Sequence, residues 1–284
     1  MYKQSEGFFK GYQDTNLFFE LWESPKARGT LIITHGQGEY SGAYSRLIEG
    51  LSDQNLNIYS WDLRGHGRSD GRRGYAANFD DYCRDCEIFL KMVMSEDKVK
   101  KGPVILLGHS MGGLILTKTL LHNSGIQADA LVLSAPLFGI SVPVPAFKSK
   151  GAKVLNALLP ALTMGNELQN DMLTRDLDVI REFEQDALRH DKLSSAVFLG
   201  MLESFDFVLP RATEIRMPMV LMISDNDPVV STEAARAFYG KVGSEKKELF
   251  IYPSAKHEIF NDTIRQTVYQ DLKKYLAPYL EAKS

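Results

Sequence analysis

The sequence predicts an α/β fold built on a mostly parallel β-sheet, and three observations lead to this prediction. Short apolar runs bounded by Gly, Pro or Asp alternate with longer stretches of helical periodicity at both ends of the chain. The runs are apolar on both faces, as expected of parallel strands covered by helices on each side. The 284 residues suffice for one large core, so we expect a single domain over residues 1–284.

Six apolar runs are the strand candidates of the central sheet. They are Thr30–Thr34, Asn57–Trp61, Val104–Leu107, Ala130–Leu133, Met219–Ile223 and Glu248–Tyr252. Helical periodicity predicts five helices, at Ser45–Gln54, Asp80–Met94, Met111–Leu121, Thr232–Lys241 and Asp262–Tyr275. Two alternating segments, Gly7–Tyr12 and Asn16–Trp22, predict a hairpin that precedes them.

One connection is far longer than the others. About eighty residues, 135–218, separate the fourth central strand from the fifth, which is too many for an ordinary crossover. The segment contains Pro136, Pro143 and Pro145, and then alternates between apolar and strongly charged stretches. We therefore predict a helical cap at about residues 137–210, inserted over the carboxyl edge of the sheet.

Composition narrows the functional classes. With 33 Lys and Arg against 36 Asp and Glu, the net charge is −3, so no basic surface favours nucleic acid. No secretory signal and no apolar run of about 18 residues is recognisable, which predicts a cytoplasmic protein. Cys83 and Cys86 share one face of a predicted helix and form neither a disulfide framework nor a metal site. No cofactor or metal is implied, and the oligomeric state stays open.

The segment Gly108-His109-Ser110-Met111-Gly112 carries the strongest chemical signal. Such a Gly-x-Ser-x-Gly is weak alone, but here it directly follows an apolar strand and precedes a helix. That strand–turn–helix is the setting of a nucleophile elbow, whose small residues allow a turn that projects the serine. We therefore predict Ser110 as a nucleophile.

A serine nucleophile needs a base and an orienting carboxylate later in the chain. His257 lies just after the last strand and is the predicted base, because imidazole exchanges protons near neutral pH. Two carboxylates, Asp225 and Asp227, follow the strand Met219–Ile223. We predict Asp227 as the acid, since Asp225 is better placed to form the turn.

The reaction also needs hydrogen-bond donors for the oxyanion. The backbone N–H of Met111, directly after the nucleophile, is one candidate. The other is the N–H of Gln37, in the Gly-rich run His35-Gly36-Gln37-Gly38-Glu39 after the first central strand.

Taken together, these motifs give a sequence that resembles the α/β-hydrolases of the monoacylglycerol lipase and lysophospholipase group, also described as serine-aminopeptidase-like hydrolases. The resemblance spans nearly the whole chain. It implies an α/β-hydrolase fold: a mostly parallel eight-stranded sheet flanked by helices, with a helical cap inserted before the strand that carries the acid. It also implies the same triad and oxyanion donors, and a cap lined for one acyl chain. The resemblance rests on five segments: His35–Glu39, Asp62–Gly71, the elbow, Ser134-Ala135-Pro136 and Ala255–Glu258.

The oxyanion loop departs from the usual pattern of this group, His-Gly-Ala-Gly-Glu-His-Ser-Gly-Arg-Tyr. Gln37, Tyr40 and Ala43 replace the Ala, the His and the Arg. A backbone donor survives any side chain, so Gln37 leaves catalysis intact. Ala43 removes a polar group that the resemblance would place near the head group of the substrate, and the head-group preference stays open.

Two further segments could bind substrate. The four arginines in residues 64–73 alternate with Gly and Asp, which favours a structural loop; a phosphate pocket at Arg72 and Arg73 is the lesser hypothesis. In the cap, an apolar stripe at helical spacing contains Leu158 and is flanked by Phe147, Lys148, Lys150 and Lys153.

The apolar stripe allows two interpretations: it packs the cap onto the sheet, or it forms an acyl tunnel or a rim that contacts a membrane peripherally. The predicted substrate-binding residues are Glu39, Phe138, Leu158, Phe198, Met201 and Leu202.

We therefore predict a serine carboxylester hydrolase that cleaves a small lipid ester, a monoacylglycerol or a lysophospholipid, through an acyl-enzyme. The alternatives are a small-ester esterase, a thioesterase, a serine peptidase or an acyltransferase on the same fold. A ligand-binding protein without catalysis is a further alternative, because fold alone does not determine function.

Overall fold

A computed structural model describes residues 2–141 and 146–281, without the side chains of residues 146–150 and 153. An eight-stranded sheet has the order β1-β2-β4-β3-β5-β6-β9-β10. Its strands are β1 (Lys3–Lys10), β2 (Asn16–Glu23), β3 (Gly29–Thr34), β4 (Leu56–Trp61), β5 (Val104–His109), β6 (Ala130–Ser134), β9 (Met219–Ser224) and β10 (Lys247–Tyr252). β1 and β2 form the predicted antiparallel hairpin, β2 is antiparallel to β4, and the other six strands of this sheet are parallel to one another.

Helices cover both faces of this sheet, as the apolar strands predict. The helices are α1 (Ser45–Gly50), α2 (Asp80–Ser95), α3 (Met111–His122), α8 (Thr232–Lys241) and α9 (Arg265–Glu281). Every residue of β3, β4, β6 and β9 is buried, whereas β10 at the sheet edge is mostly half-buried. The eight-stranded, mostly parallel α/β-hydrolase sheet flanked by helices is therefore confirmed.

Two helices differ from the prediction by more than one residue at an end. The first helix ends at Gly50 and continues, after Leu51, as a 3₁₀ turn at Ser52–Gln54, because Asn55 adopts a left-handed conformation that ends it. The last helix begins at Arg265 instead of Asp262. The carboxylate of Asp262 accepts hydrogen bonds from the Arg175 side chain of the cap. The helix then continues to Glu281 through Pro278.

The insertion between β6 and β9 carries the predicted cap helices. They are α4 (Ala146–Leu158), α5 (Asn170–Leu173), α6 (Leu177–Gln185) and α7 (Ser195–Val208). The insertion also contains a short antiparallel pair, β7 (Thr163–Gly165) with β8 (Lys192–Ser194), that the helical pattern did not predict. Pro160 follows α4 closely, which prevents the helix from running on through the apolar stretch.

The last cap helix belongs to the core as much as to the cap. α7 packs against α3, and the buried Lys118 of α3 donates to Ser204 Oγ of α7 over 3.0 Å. Val208 at its end is fully buried in the core. One face of the sheet is thus covered by α2, α3 and α7, and the catalytic candidates lie where these helices and β5 meet the cap.

Candidate active site

Ser110 lies at the sharp turn between β5 and α3. Its φ of 52° and ψ of −122° lie outside the regions that L-residues favour. Gly112 makes the turn tight, because a Cβ there would collide with the carbonyl oxygen of Thr34. The strained turn holds the Ser110 side chain at the carboxyl edge of the sheet.

Ser110, His257 and Asp227 form one hydrogen-bonded chain. Ser110 Oγ lies 2.8 Å from His257 Nε2, and His257 Nδ1 lies 2.8 Å from Asp227 Oδ2. Asp227 Oδ1 accepts the backbone N–H groups of Val229 and Val230 over 2.8 and 3.0 Å, which fixes the carboxylate. Such a chain can move the serine proton to the imidazole while the carboxylate orients the ring.

The second carboxylate after β9 is not part of this chain. The Asp225 side chain is 55% exposed and pairs with Arg236 at 3.3 Å. The structure thus brings Asp227, and not Asp225, to His257.

Burial and charge set the protonation states of the site. Burial lowers the pKa of His257, but the charge and hydrogen bond of Asp227 reverse this and raise it above 6.5. Burial raises the pKa of Asp227, and the charge of His257 outweighs burial, so that pKa falls below 3.8. Burial, and then the charge of His257, lower the pKa of His109 to about 3, so His109 stays neutral beside the site.

The loop after β3, residues 35–40, passes directly over Ser110. A Cβ at Gly36 would stand 3.0 Å from Ser110 Cβ, so the loop depends on glycine for this approach. Among the described residues, the backbone N–H groups of Gln37 and Met111 have no hydrogen-bond partner. Glu39 Oε2 accepts the N–H of Gly36 over 3.0 Å and thereby shapes this loop.

A cavity of about 660 Å³ opens at Ser110, a volume typical of small-molecule sites. Of the predicted substrate-binding residues, Glu39, Phe198 and Met201 line it. Phe138, Leu158 and Leu202 are not among the described residues that line it. Phe138 packs against Phe238 with ring centroids 4.3 Å apart, and Leu158 is 73% exposed on the outside of the cap.

The cavity also holds an ionic cluster that the sequence did not predict. Arg189 of the cap donates to both carboxylate oxygens of Glu258 over 3.0 Å and lies 3.7 Å from Glu39 Oε1. Burial alone would raise the pKa of Glu258, but Arg189 brings it down to about 2. Burial and the charge of Glu258 raise the pKa of Glu39 to about 7. The only signals in the sequence were the position of Glu258 beside His257 and the charged character of the cap.

Arg64 and Arg73, two of the four arginines in residues 64–73, serve the fold. Arg64 forms a buried two-pronged pair with Asp85, and Arg73 donates to the carbonyl of Gly67. Neither Arg72 nor Arg73 is among the described residues that line the cavity. Within residues 2–141 and 146–281, no group of three or more His, Cys, Asp or Glu side chains is arranged to hold a metal ion.

Comparison with known families matches residues 25–264 to the family described as serine aminopeptidase, S33 (Hydrolase_4). The chain belongs to this family. It is an α/β-hydrolase of the monoacylglycerol lipase and lysophospholipase group, as the sequence motifs predicted, and a serine hydrolase.

Curated relatives of this hydrolase align along nearly its full length. A monoacylglycerol lipase of Mycolicibacterium smegmatis is 27% identical, with 98% of each chain covered. Phospholipase YtpA of Bacillus subtilis is also 27% identical, over 91% of this chain and 99% of the relative. The human monoglyceride lipase is 28% identical, over 92% of this chain and 86% of the relative.

Solved structures share the fold of this hydrolase. The monoacylglycerol lipase of Paleococcus ferrophilus has a TM-score of 0.81 at 24% identity and covers 98% of this chain and 99% of its own. A soluble variant of the monoglyceride lipase of Saccharomyces cerevisiae, in complex with a substrate analog, has a TM-score of 0.85 at 23% identity. That alignment covers 96% of this chain and 94% of the yeast chain.

Proposed function

We propose that this hydrolase cleaves single-chain lipid esters, a monoacylglycerol or a lysophospholipid, through an acyl-enzyme on Ser110. The hydrogen-bonded chain from Ser110 through His257 to Asp227, at the floor of a largely apolar cavity, carries the proposal. The names of the curated relatives agree with it.

In the proposed reaction, Ser110 Oγ attacks the ester carbonyl while its proton passes to His257 Nε2. The N–H groups of Gln37 and Met111 hold the oxyanion. His257 then returns the proton to the leaving alcohol, and the acyl group stays on Ser110. A water molecule then gives a proton to His257 and attacks the acyl-enzyme. The bond between the acyl group and Ser110 Oγ breaks, His257 returns the proton to Ser110 Oγ, and the fatty acid leaves.

The cavity wall supports a single acyl chain as the bound group. Apolar side chains from the core and from the cap meet there, and polar side chains, Glu39, Arg189 and Glu258 among them, form the rest of the wall. This division suits an ester with one apolar and one polar end. The apolar wall includes Leu137, Ile140, Leu193, Phe198, Met201 and Val229.

The test is release of fatty acid from a monoacylglycerol and from a lysophosphatidylcholine with the same acyl chain. We expect turnover of at least one of the two, with Ser110→Ala as the blank and covalent labelling of Ser110 by a fluorophosphonate. Release from neither, with turnover of acetyl esters or peptides instead, would contradict the lipid assignment. Transfer to an added alcohol that outpaces hydrolysis would indicate an acyltransferase.

The outer surface of the cap is a second part of this proposal. Val154, Leu158, Leu159 and Met164 are each more than half exposed, which suits transient contact with the lipid interface that holds the substrate. The predicted contributions of Phe147, Lys148, Lys150 and Lys153 lie outside the described side chains. No helix among the described residues is long and apolar enough to cross a bilayer.

Flotation with anionic vesicles tests this contact. We expect the parent protein to float with the vesicles and Leu158→Ser/Leu159→Ser to float less. Phe8→Ser is the matched control, because Phe8 is 60% exposed on β1, outside the cap. Absence of the parent protein from the vesicle fraction would overturn the membrane contact without affecting the proposed chemistry.

A further inference from the structure

One segment of the cap, residues 186–192, is bonded directly to the loop after β3. The backbone N–H of His190 donates to the carbonyl of Gly38 over 3.1 Å. From the loop, Gln37 Nε2 donates to the carbonyl of Lys192 over 2.6 Å, and Tyr40 Oη donates to Asp186 Oδ2 over 2.8 Å. Gln37 and Tyr40 are two of the positions at which the sequence departs from the usual pattern of its group. The side chains of both donate hydrogen bonds to the cap.

The same cap also holds the loop that carries His257. The N–H of Glu258 donates to the carbonyl of Leu173 over 2.8 Å, and Thr174 Oγ1 donates to the carbonyl of Asn261 over 2.9 Å. Cap bonds therefore reach two loops that the proposed reaction needs: the one with the oxyanion donor Gln37 and the one with the base.

Arg189 contacts both loops at once from the cap. Its guanidinium is fixed on Glu258, the neighbour of His257, and lies 3.7 Å from Glu39 Oε1, while the other oxygen of Glu39 accepts the Gly36 N–H. The Arg189 side chain is 10% exposed and stacks on the ring of Phe183 at 3.5 Å. A planar guanidinium held on three sides has one orientation, which a flexible ammonium would not have.

We infer that Arg189 is a positioning residue that sets the distance between the base and the oxyanion donor. The inference rests on the proposed function, because it assigns Arg189 a role in that reaction. A shift of about 1 Å in either loop is expected to lower the rate about a hundredfold with little effect on ground-state binding.

The experiment compares four variants in the full chain: Arg189→Lys, Arg189→Met, Arg189→Met/Glu258→Gln and Lys118→Met. The measurements are kcat, KM, the urea midpoint, and the Ki of a trifluoromethyl ketone that carries the acyl chain of the substrate. The ketone forms a tetrahedral adduct with Ser110 and so reports the oxyanion site and base together. Lys118→Met is the matched control, since Lys118 is a buried cation that joins the cap to α3 without contacting either loop.

We expect Arg189→Met to lower kcat roughly 30- to 100-fold and to raise Ki in parallel, with KM within about threefold. Arg189→Lys should have a kcat between those of Arg189→Met and the parent protein. Lysine keeps the positive charge but lacks the planar guanidinium that donates to both oxygens of a carboxylate. The double variant removes one of the buried carboxylates that the first change leaves unpaired, so its urea midpoint should recover while kcat stays low. Lys118→Met should lower the urea midpoint alone.

Two results would overturn the inference. Recovery of the parent kcat in the double variant would mean that Arg189 only neutralises charge. A raised KM with unchanged kcat and unchanged Ki would make Arg189 a binding residue. A parent protein that releases no fatty acid and forms no ketone adduct would instead reject the proposed function, and the inference with it.

Discussion

At the scale of single residues, the chemistry follows from short-range geometry that the sequence encodes directly. Ser110 lies between a strand and a helix because small residues flank it, and Asp227 and His257 each lie in the loop after a strand. These three positions could be predicted because the carboxyl ends of parallel strands meet at one edge of a sheet. The choice of Asp227 over Asp225 also agrees with the side-chain contacts.

The cluster of Glu39, Arg189 and Glu258 could not be predicted in the same way. Its members lie in the loop after β3, in the cap and after β10, and no periodicity links them. Only the folded cap brings Arg189 to the two carboxylates. For the same reason, the prediction placed Phe138 and Leu202 at the cavity because they are apolar. Neither is among the described residues that line it.

Asp227→Asn should lower kcat roughly 10³- to 10⁴-fold, because the amide favours the wrong tautomer of His257. Hydrolysis of the proposed ester that the parent protein turns over faster, the monoacylglycerol or the lysophospholipid, measures this. Asp225→Asn is the matched control and should leave kcat within about twofold, since Asp225 contacts Arg236 and not His257. Equal losses in both variants would contradict the assignment of the acid.

The pH dependence of kcat/KM should report His257, which must be neutral to accept the serine proton. Since Asp227 raises the pKa of His257 above 6.5, activity should be low in acid and rise through a midpoint above 6.5. In Asp227→Asn, burial would dominate and lower that pKa, so the residual activity should begin to rise at lower pH. An unchanged midpoint in the variant would mean that another group controls this limb.

At the scale of elements, α7 divides its residues between two tasks. Phe198 and Met201 line the cavity, whereas Ser204 and Val208, further along, face α3 and the core. The sequence predicted a helical cap that includes this segment, without bounds for α7. It could not show which of the apolar faces meets the cavity, because both faces are apolar.

Met201→Trp should shorten the acyl chain that the cavity accepts. The larger ring fills space in the cavity, so kcat/KM for a long-chain ester should fall roughly tenfold or more relative to that for an acetyl ester. Leu202→Trp is the matched control. Leu202 is the neighbour of Met201 on α7, but it is not among the described residues that line the cavity. A series of p-nitrophenyl esters of increasing length measures both. Equal chain-length profiles would contradict the proposed acyl site.

At the scale of the whole molecule, ion pairs join the cap to the α/β core next to the base loop. Their carboxylates have pKa values below the ordinary range: burial raises that of Glu258, for example, but Arg189 lowers it to about 2. A lowered pKa means that each pair stabilises the fold above the ordinary carboxyl pKa and loses this contribution as the pH falls through the lowered value. The pairs are Arg189–Glu258, Arg175–Asp262 and Arg265–Asp176.

We therefore expect acid to loosen the cap before it unfolds the sheet. Between about pH 4.5 and 2, pepsin should cut within residues 146–194 while far-UV circular dichroism stays native-like, because the sheet is held mainly by apolar burial, which does not depend on pH. Arg175→Met should move the onset of cleavage to higher pH, since Asp262 then loses its partner. Simultaneous loss of cap and sheet would contradict separate stability of the two.

The position of α7 also limits how this hydrolase could exchange its cap with a relative. β6 and β9 are adjacent and parallel, so the chain between them must cross back to the other end of the sheet. α7 is the helix of this crossover, and its first turns also line the cavity. A chimera cut at residues 137 and 210 would transplant this crossover together with the substrate-binding wall. A junction before Ser195 would leave the crossover native, so new specificity could be grafted without rebuilding the scaffold.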